Sequence, residues 1–441
     1  MDYKQGLSRI KDAEIRQAVS SAIELNLLPA LREIAYPGHF CINADGGQFG
    51  AENTWPGLDS LQMAGAFLLM DMVDPVLKYF DFVKASQRAD GNIPFAIFPE
   101  EGVRDPEARS TCLCGMNYPD DVFSYTPPNA DPEKYPTREW IGLFDHWVPE
   151  NPLNTLGSIC YLLTAGEIFE KTADTVWLTD QIDSIERAAK YIVSRKSDQG
   201  LIGGGGFYTE LPPRMNWDGI TQCYTYKGFC YLVQLYTALG NQDKAEYWQT
   251  EANSVYHAFR ANYWVNDHFA AYVSPSHGPV AHHGYSDVDF AAIAFGLADS
   301  DQINILWDAL KKQKDFWLGD MPTQVMTKYY NFMEWELSTP PSFDNGERSQ
   351  RFFYDLAAMG RVWYLESKAC MAMGDYERLF ASTKLVSQSG NRYGGYWHER
   401  YHPVSSGIVV PTGPPGYCEY PAILVRTVFS NPDVFMYPEE V

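Results

Sequence analysis

The sequence predicts an all-α fold, a closed (α/α)6 toroid of six helical hairpins with long loops gathered at one mouth. Three observations carry this. First, a long apolar-periodic helix, a short turn and a second amphipathic helix recur along the chain. Second, no β-alternation of useful length interrupts these units, although short strands are expected in the loops. Third, the connecting stretches at 37–57, 88–150, 196–222, 314–348 and 389–418 are long and rich in Gly, Pro, Trp and Asp. Hairpins that cannot bury a face alone must stack on neighbours, which an open solenoid and a closed ring both achieve. Long loops clustered at one end favour the ring, because they build a deep pocket on a rigid scaffold.

In order, the elements are an opening helix over 8–34 and a helical pair near 67–87, with Pro75 at a helix N1 position. Pairs at 155–195 and around 232–252 follow, the latter with Gly240 as a left-handed C-cap. There Tyr231, Leu235 and Leu239, with Leu232 and Tyr236, mark an apolar face. Further pairs occupy 288–312 and 353–386, and a closing helix lies near 420–430. About twelve helices result. No linker interrupts them, so residues 1–441 read as a single domain.

Apolar residues make up 45% and charged residues 20%, ordinary for a globular chain. The aromatic share of 15% is high, and it serves either a large aromatic core or flat amphipathic surface on which sugar rings stack. A net charge of −22 repels phosphate backbones and anionic membranes. Nucleic acid and membranes are therefore not expected as partners, and a polyanionic substrate is disfavoured. The start, MDYKQGLSRIKDAEIRQ, has no apolar signal region, and no run of about 18 apolar residues occurs. Of eight cysteines, Cys160, Cys230 and Cys370 sit in apolar helical stretches as small buried hydrophobes, and Cys112 and Cys114 are too isolated for a zinc knuckle. A reduced, cytoplasmic chain is the simplest expectation, compatible with a homo-oligomer.

Cleavage of a glycosidic bond with inversion needs an acid at the leaving oxygen and a base activating water on the opposite face, roughly 6.5–9.5 Å apart. Asp218, in PPRMNWDGITQCY, follows the glycine run Gly203 to Gly206 and precedes a helix expected to start near Tyr224. Beside Trp217 and Met215 its carboxyl is partly desolvated, which suits proton donation; the plain alternative is a helix N-cap. Glu399, in RYGGYWHERYHP, has Gly394 and Gly395 before it, Tyr396, Trp397 and Tyr401 as pocket walls, and Arg400 with two histidines to complement its charge. The plain alternative is a surface turn. Glu347, Glu419 and Asp59 stand at loop-to-helix junctions and are also plausible helix-start acids.

Residues 398–402 spell His-Glu-Arg-Tyr-His, the literal H-E-x-x-H zinc signature. Zinc requires both histidines on one face of a helix, whereas Gly394-Gly395 and Pro403 mark a loop. A zinc hydrolase using His398, Glu399 and His402 is thus the rival from another class. His282-His283 reads as a loop pair with no carboxylate at ligand spacing. No metal or cofactor is required by the acid–base chemistry.

Four stretches carry a resemblance. TWPGLDSLQMAGAFLLM, ASQRADGNIPF, NWDGITQCY and WHERYHPVSSG resemble, in order, motifs of the glucosidase and trehalase group of six-hairpin, glucoamylase-like toroid hydrolases. The nearest match is glycoside hydrolase family 63, including its small bacterial members acting on glucosylglycerate or mannosylglycerate. The resemblance implies Asp218 as general acid, Glu399 as general base and Asp59 at a sugar-contacting position. It implies an inverting exo-glycosidase acting on a small, mostly neutral, α-linked saccharide or glycoside. Trp55, Asp59, Asn92, Trp217, Tyr224, Glu347, Trp397 and Glu419 are then the expected substrate-binding residues. The sequence departs from the group at Gly219-Ile220, at Asp344 to Arg348 and at Tyr417 to Tyr420, which leaves Glu347 and Glu419 open as the base. Rhamnosidase-like hydrolases, toroid phosphorylases and a non-catalytic carbohydrate-binding toroid share the architecture and stand as alternatives.

Overall fold

The computed structural model describes residues 2–31, 39–44, 53–57, 59–99, 122–125, 140–143, 154–204, 217–313, 317–318, 321–322, 333–337, 357–405 and 408–438. Its helices, in chain order, begin with α1 (Tyr3–Arg9), α2 (Ala13–Ser21, continued by a π-helical stretch Ala22–Leu27 and an α-helical turn Leu28–Ala30), α3 (Asp59–Leu69), α4 (Val73–Ala85) and α5 (Leu156–Thr172). Next come α6 (Thr175–Ser194), α7 (Gly219–Ala238), α8 (Gln242–Tyr263), α9 (Asp287–Ala294) and α10 (Ser300–Lys312). The last are α11 (Gly360–Met373), α12 (Tyr376–Arg392), α13 (Glu419–Phe429) and α14 (Pro432–Phe435).

Among the described residues, α3, α5, α7, α9, α11 and α13 form an inner ring, each packed on the next, and α13 packs on α3 to close it. Outside them, α4 bridges α3 and α5, α6 lies on α5 and α7, α8 lies on α7, and α2 and α12 pack together across the seam. The two sets differ in sequence for a physical reason. A helix surrounded by protein must be apolar or small all round, and α13 is buried along its whole length. An outer helix needs one apolar stripe, and α6 buries Leu178, Ile182, Ile185, Ala189 and Ile192 at helical spacing.

All six inner helices run the same way. Between them lies one cavity of about 460 Å³, lined toward the helix ends by Leu69, Glu170, Phe295, Lys368 and Ser430 and nearer the starts by Leu61, Tyr224 and Tyr364. Arg426 of α13 laces its wall together. Its Nη1 donates to Leu61 O (3.0 Å), and its Nη2 donates to Tyr364 OH (3.0 Å) and Glu167 Oε1 (2.5 Å). Gly65 makes room for it, since a Cβ there would lie 2.1 Å from Arg426 Nη1.

The expected short strands form small sheets, two of which feed directly into inner helices. Strand Trp217–Asp218 pairs with Tyr272–Ser274 ahead of α7, and Ala358–Met359 pairs with Arg400–Ser405 ahead of α11. Gly240 is left-handed (φ 69°), as expected after α7. Three expectations need correction. The opening helix is broken near residue 10, because Asp12 accepts from the amides of Glu14 and Ile15 and starts α2 afresh. Pro75 is the third residue of α4 rather than the first, still inside the turn whose amides need no partner. Helix α7 begins at Gly219 rather than near Tyr224. Gln222 explains the early start: its side chain bonds Ile202 N, Ile202 O and Asp218 O, anchoring residues of weak helix propensity. No described helix is long and apolar enough to cross a membrane.

Candidate active site

The opposite mouth is built from the N-termini of the inner helices, whose unpaired amides and dipoles favour negative charge. Asp59 and Glu419 are the first residues of α3 and α13, Asp287 is the first of α9, and Asp218 occupies the N-cap position of α7. The start of α5 carries no acid, and that of α11 carries Arg361 as its second residue.

Three carboxylates converge on that arginine. Arg361 Nε donates to Glu419 Oε1 (2.7 Å), and its Nη2 lies 4.0 Å from Asp59 Oδ1 and 3.9 Å from Glu399 Oε1. Tyr417 OH donates to Asp59 Oδ1 (2.9 Å), and Arg400 Nε donates to Glu399 Oε1 (3.1 Å). Sheet register explains how Glu399 arrives: Arg400 pairs with Met359, two residues ahead of Arg361. Gly413, left-handed at φ 83°, lets the neighbouring strand pass, since a Cβ there would stand 3.3 Å from Glu399 Cβ. Of the three acids, Glu399 has the most accessible side chain, 18% against 13% for Asp59 and 0% for Glu419.

Three acids share two buried cations, Arg361 and Arg400. Burial pushes Glu419 up to about 7; Arg361 opposes this, and Asp59 and Glu399 add to it. Burial also raises Asp59, against the pull of Arg361 and the Tyr417 hydroxyl and with a further push from Glu399. The cluster therefore retains a proton where isolated carboxylates would have lost theirs. Glu419 Oε2 has no hydrogen-bond partner among the described residues.

Asp218 stands elsewhere on the rim. In a six-membered ring, α7 is three places from α13, so the two N-termini face each other across the axis. Asp218 is 1% exposed and does not cap its helix with its side chain; Thr221 Oγ1 donates to its Oδ2 at 3.4 Å. Its surroundings are acidic: burial pushes the Cys223 thiol well up, and Asp218, Asp287 and Asp289 add to the shift.

Of the residues expected from sequence, Asp59, Glu399 and Glu419 come together. Trp217 is half-buried beside Asp218, and Trp55 is half-buried with its ring 6.3 Å from Phe95. Asn92 is 1% exposed and accepts from Ser158 Oγ (2.8 Å), tying its loop to α5. Two expected binding residues do not reach the mouth. Trp397 is fully buried, donates from Nε1 to Val386 O (3.0 Å) and fills the space left by Gly390. Tyr224, in the second turn of α7, is buried, lines the cavity between the inner helices and packs 5.0 Å from Phe295. Glu347 lies outside the described residues.

The stretch carrying the zinc signature is not helical, as Gly394-Gly395 and Pro403 predict. Residues Arg400–Ser405 form a strand, so the helix that would align His398 and His402 is absent, and His398 Nδ1 lies 2.9 Å from Gly413 O. The pair His282-His283 does meet a carboxylate, that of Glu336, 54 residues downstream of His282. Arg361 and Tyr417 escaped notice in the sequence. An arginine in the otherwise apolar helix start GRVWYL was the available signal.

No family model matches the chain, and no curated protein sequence matches it. Solved structures do. A glycosidase in complex with glucose aligns with TM-score 0.58 at 12% identity over 96% of this chain and 98% of that one. An uncharacterized conserved protein from Thermus thermophilus aligns with TM-score 0.58 at 12% identity over 93% and 99%. A rhamnosidase from Klebsiella oxytoca with rhamnose bound aligns with TM-score 0.59 at 12% identity, over 95% of this chain and 64% of that one. The fold is an (α/α) toroid. At these identities the likeness speaks for fold alone, and the toroid's chemistry must be argued from its own residues.

Proposed function

We propose that the protein is an inverting glycoside hydrolase acting at the non-reducing end of a small, mostly neutral saccharide or glycoside. One observation carries the reading: Asp59, Glu399 and Glu419 gather around Arg361 on one side of the mouth, with Asp218 on the facing helix. Neighbouring helix axes stand about 8–10 Å apart, so facing axes of a six-membered ring are roughly 16–20 Å apart. Carboxyl side chains reaching inward from both sides would leave room for one sugar and one water, the spacing that inversion needs.

In this reading Asp218 donates its proton to the glycosidic oxygen as the bond to the anomeric carbon breaks. Glu399 takes a proton from water as that water attacks the opposite face. Arg361 is a positioning residue that fixes Glu419 and Asp59 and lies beside Glu399. Asp59 accepts hydrogen bonds from sugar hydroxyls, and Glu419, fully buried behind it, anchors Arg361. Resemblance to family 63 favours an α-linked glucoside or mannoside. The rhamnosidase neighbour justifies testing α-L-rhamnosides as well. The acidic mouth and the net charge of −22 argue against a polyanionic substrate.

A panel of aryl glycosides and disaccharides, with the first-formed anomer read by NMR, tests the proposal. Release of sugar with inverted configuration and no acceleration by phosphate is expected. Retained configuration would overturn the mechanism, and phosphate-dependent cleavage would make the enzyme a phosphorylase.

A further inference from the structure

We infer that His282, His283 and Glu336 form a binding site for one divalent transition-metal ion of the zinc class. The site is independent of the cluster around Arg361. The two histidines occupy the turn between strand Gly278–Val280 and α9, and Glu336 lies in the short 3-10 turn Glu334–Leu337. His282 Nε2 is 2.6 Å from Glu336 Oε2, and His283 Nε2 is 2.8 Å from Glu336 Oε1. One ligand atom from each residue falls in a group whose members all lie within 4.8 Å of one another.

Three features go beyond a chance polar cluster. Both imidazoles bring Nε2 to one carboxylate, His282 in a hydrogen bond to Oε2 and His283 2.8 Å from Oε1, so a cation entering between them would find its three ligand groups already gathered. The carboxylate is fixed by others: Tyr272 OH donates to Oε1 (2.8 Å) and Met333 N donates to Oε2 (2.7 Å). Such support from outside the ligand set characterises metal sites. Third, accessibility is graded. The side chains of His283 and Glu336 are 2% and 1% exposed, and that of His282 is 22% exposed, which leaves one side open for entry and for a water ligand.

The chemistry selects the ion. Two imidazoles and one carboxylate suit zinc and its neighbours, whereas calcium and magnesium prefer all-oxygen sets. A tetrahedral ion with bonds of about 2.1 Å holds its ligand atoms roughly 3.4 Å apart. The nitrogen–oxygen separations of 2.6 and 2.8 Å reach that by widening less than about 1 Å, and the other separations start within 4.8 Å. Tyr272 is the register partner of Asp218, so the ion would pin the Glu334–Leu337 turn to the strand that ends at Asp218.

The test uses untagged full-length protein, stripped with chelator and titrated with zinc chloride in a calorimeter, with bound metal counted by elemental analysis. One equivalent per chain is expected, with a rise in Tm. His282→Ala and Glu336→Gln should each weaken binding at least tenfold, whereas His398→Ala should leave it unchanged. Calcium should not compete. His282, the most exposed ligand, gives the variant least prone to misfolding, and circular dichroism of that variant checks its fold. Failure of the stripped protein to take up an equivalent of zinc would overturn the assignment. So would an equivalent that His282→Ala and Glu336→Gln both retain.

Discussion

The two ends of the ring handle charge differently although the same six helices build both. At the C-terminal end, Lys171, Lys227, Lys368 and Arg426 accompany Glu167 and Glu170 around the cavity, in keeping with helix C-termini that favour cations. The charges there have partners. Arg426 has Glu167, Tyr364 and Leu61 O; Tyr231 OH donates to Glu170 (3.1 Å); Lys227 lies over the Tyr231 ring; Lys171 pairs with Asp71. At the mouth, carboxylates outnumber the cations beside them, and one of them, Glu419, is pushed up to about 7, chiefly by burial. An over-supplied cluster is a reservoir of titratable groups, the feature on which the proposed chemistry rests.

Mutations should separate the ends. The largest expected effect is on rate: Asp218→Asn and Glu399→Gln should each lower kcat by about 10²–10⁴-fold on whichever glycoside is cleaved, with little change in Tm. Glu167→Gln should leave kcat within about twofold, and equal losses at both ends would break the comparison. Next comes stability. Arg361→Met and Arg426→Met each strip a buried cation from its carboxylates, costing on the order of 3–5 kcal/mol by denaturant titration. Only Arg361→Met should also depress kcat/KM per folded molecule. Gly65→Ala should cost about 1–3 kcal/mol by displacing Arg426, again without a rate effect once folded.

The smallest effect is a pH dependence. The folded-state pKa of Glu419, about 7, lies above its ordinary value of 4.5, so between those values the folded chain binds more protons than the unfolded one. Stability from this group therefore falls as pH rises from about 4.5 to 7. Glu419→Gln, which keeps an acceptor for Arg361 and cannot ionise, should gain Tm relative to the parent between pH 5 and pH 8. A constant difference across that range would show that burial does not hold the proton there.

The helical pairs were legible because inner and outer helices obey different apolar patterns, and Gly240 ends α7 as its left-handed geometry requires. Asp59, Glu399 and Glu419 were legible singly, each as an acid beside glycine or aromatic residues at the edge of a loop. Their meeting was not, because it depends on Met359 pairing with Arg400 and on α13 reaching α3. Trp397 misled for a related reason. An aromatic residue beside glycines reads alike as pocket wall or core, and the deciding partner, Gly390, lies on the preceding helix. Glu336 was missed as the partner of His282 and His283 because nothing local links two distant loops.

Closure of α13 on α3 also constrains how the molecule is made. Glu419 leaves the ribosome 360 residues after Asp59, a delay of roughly 20–70 s at about 5–20 residues per second. Through that interval the earlier hairpins present an unsealed apolar edge, and Asp59 lacks both its arginine and its tyrosine. Until the final helices emerge the ring therefore stays open, and the cluster around Arg361 is among the last features of the fold to be completed.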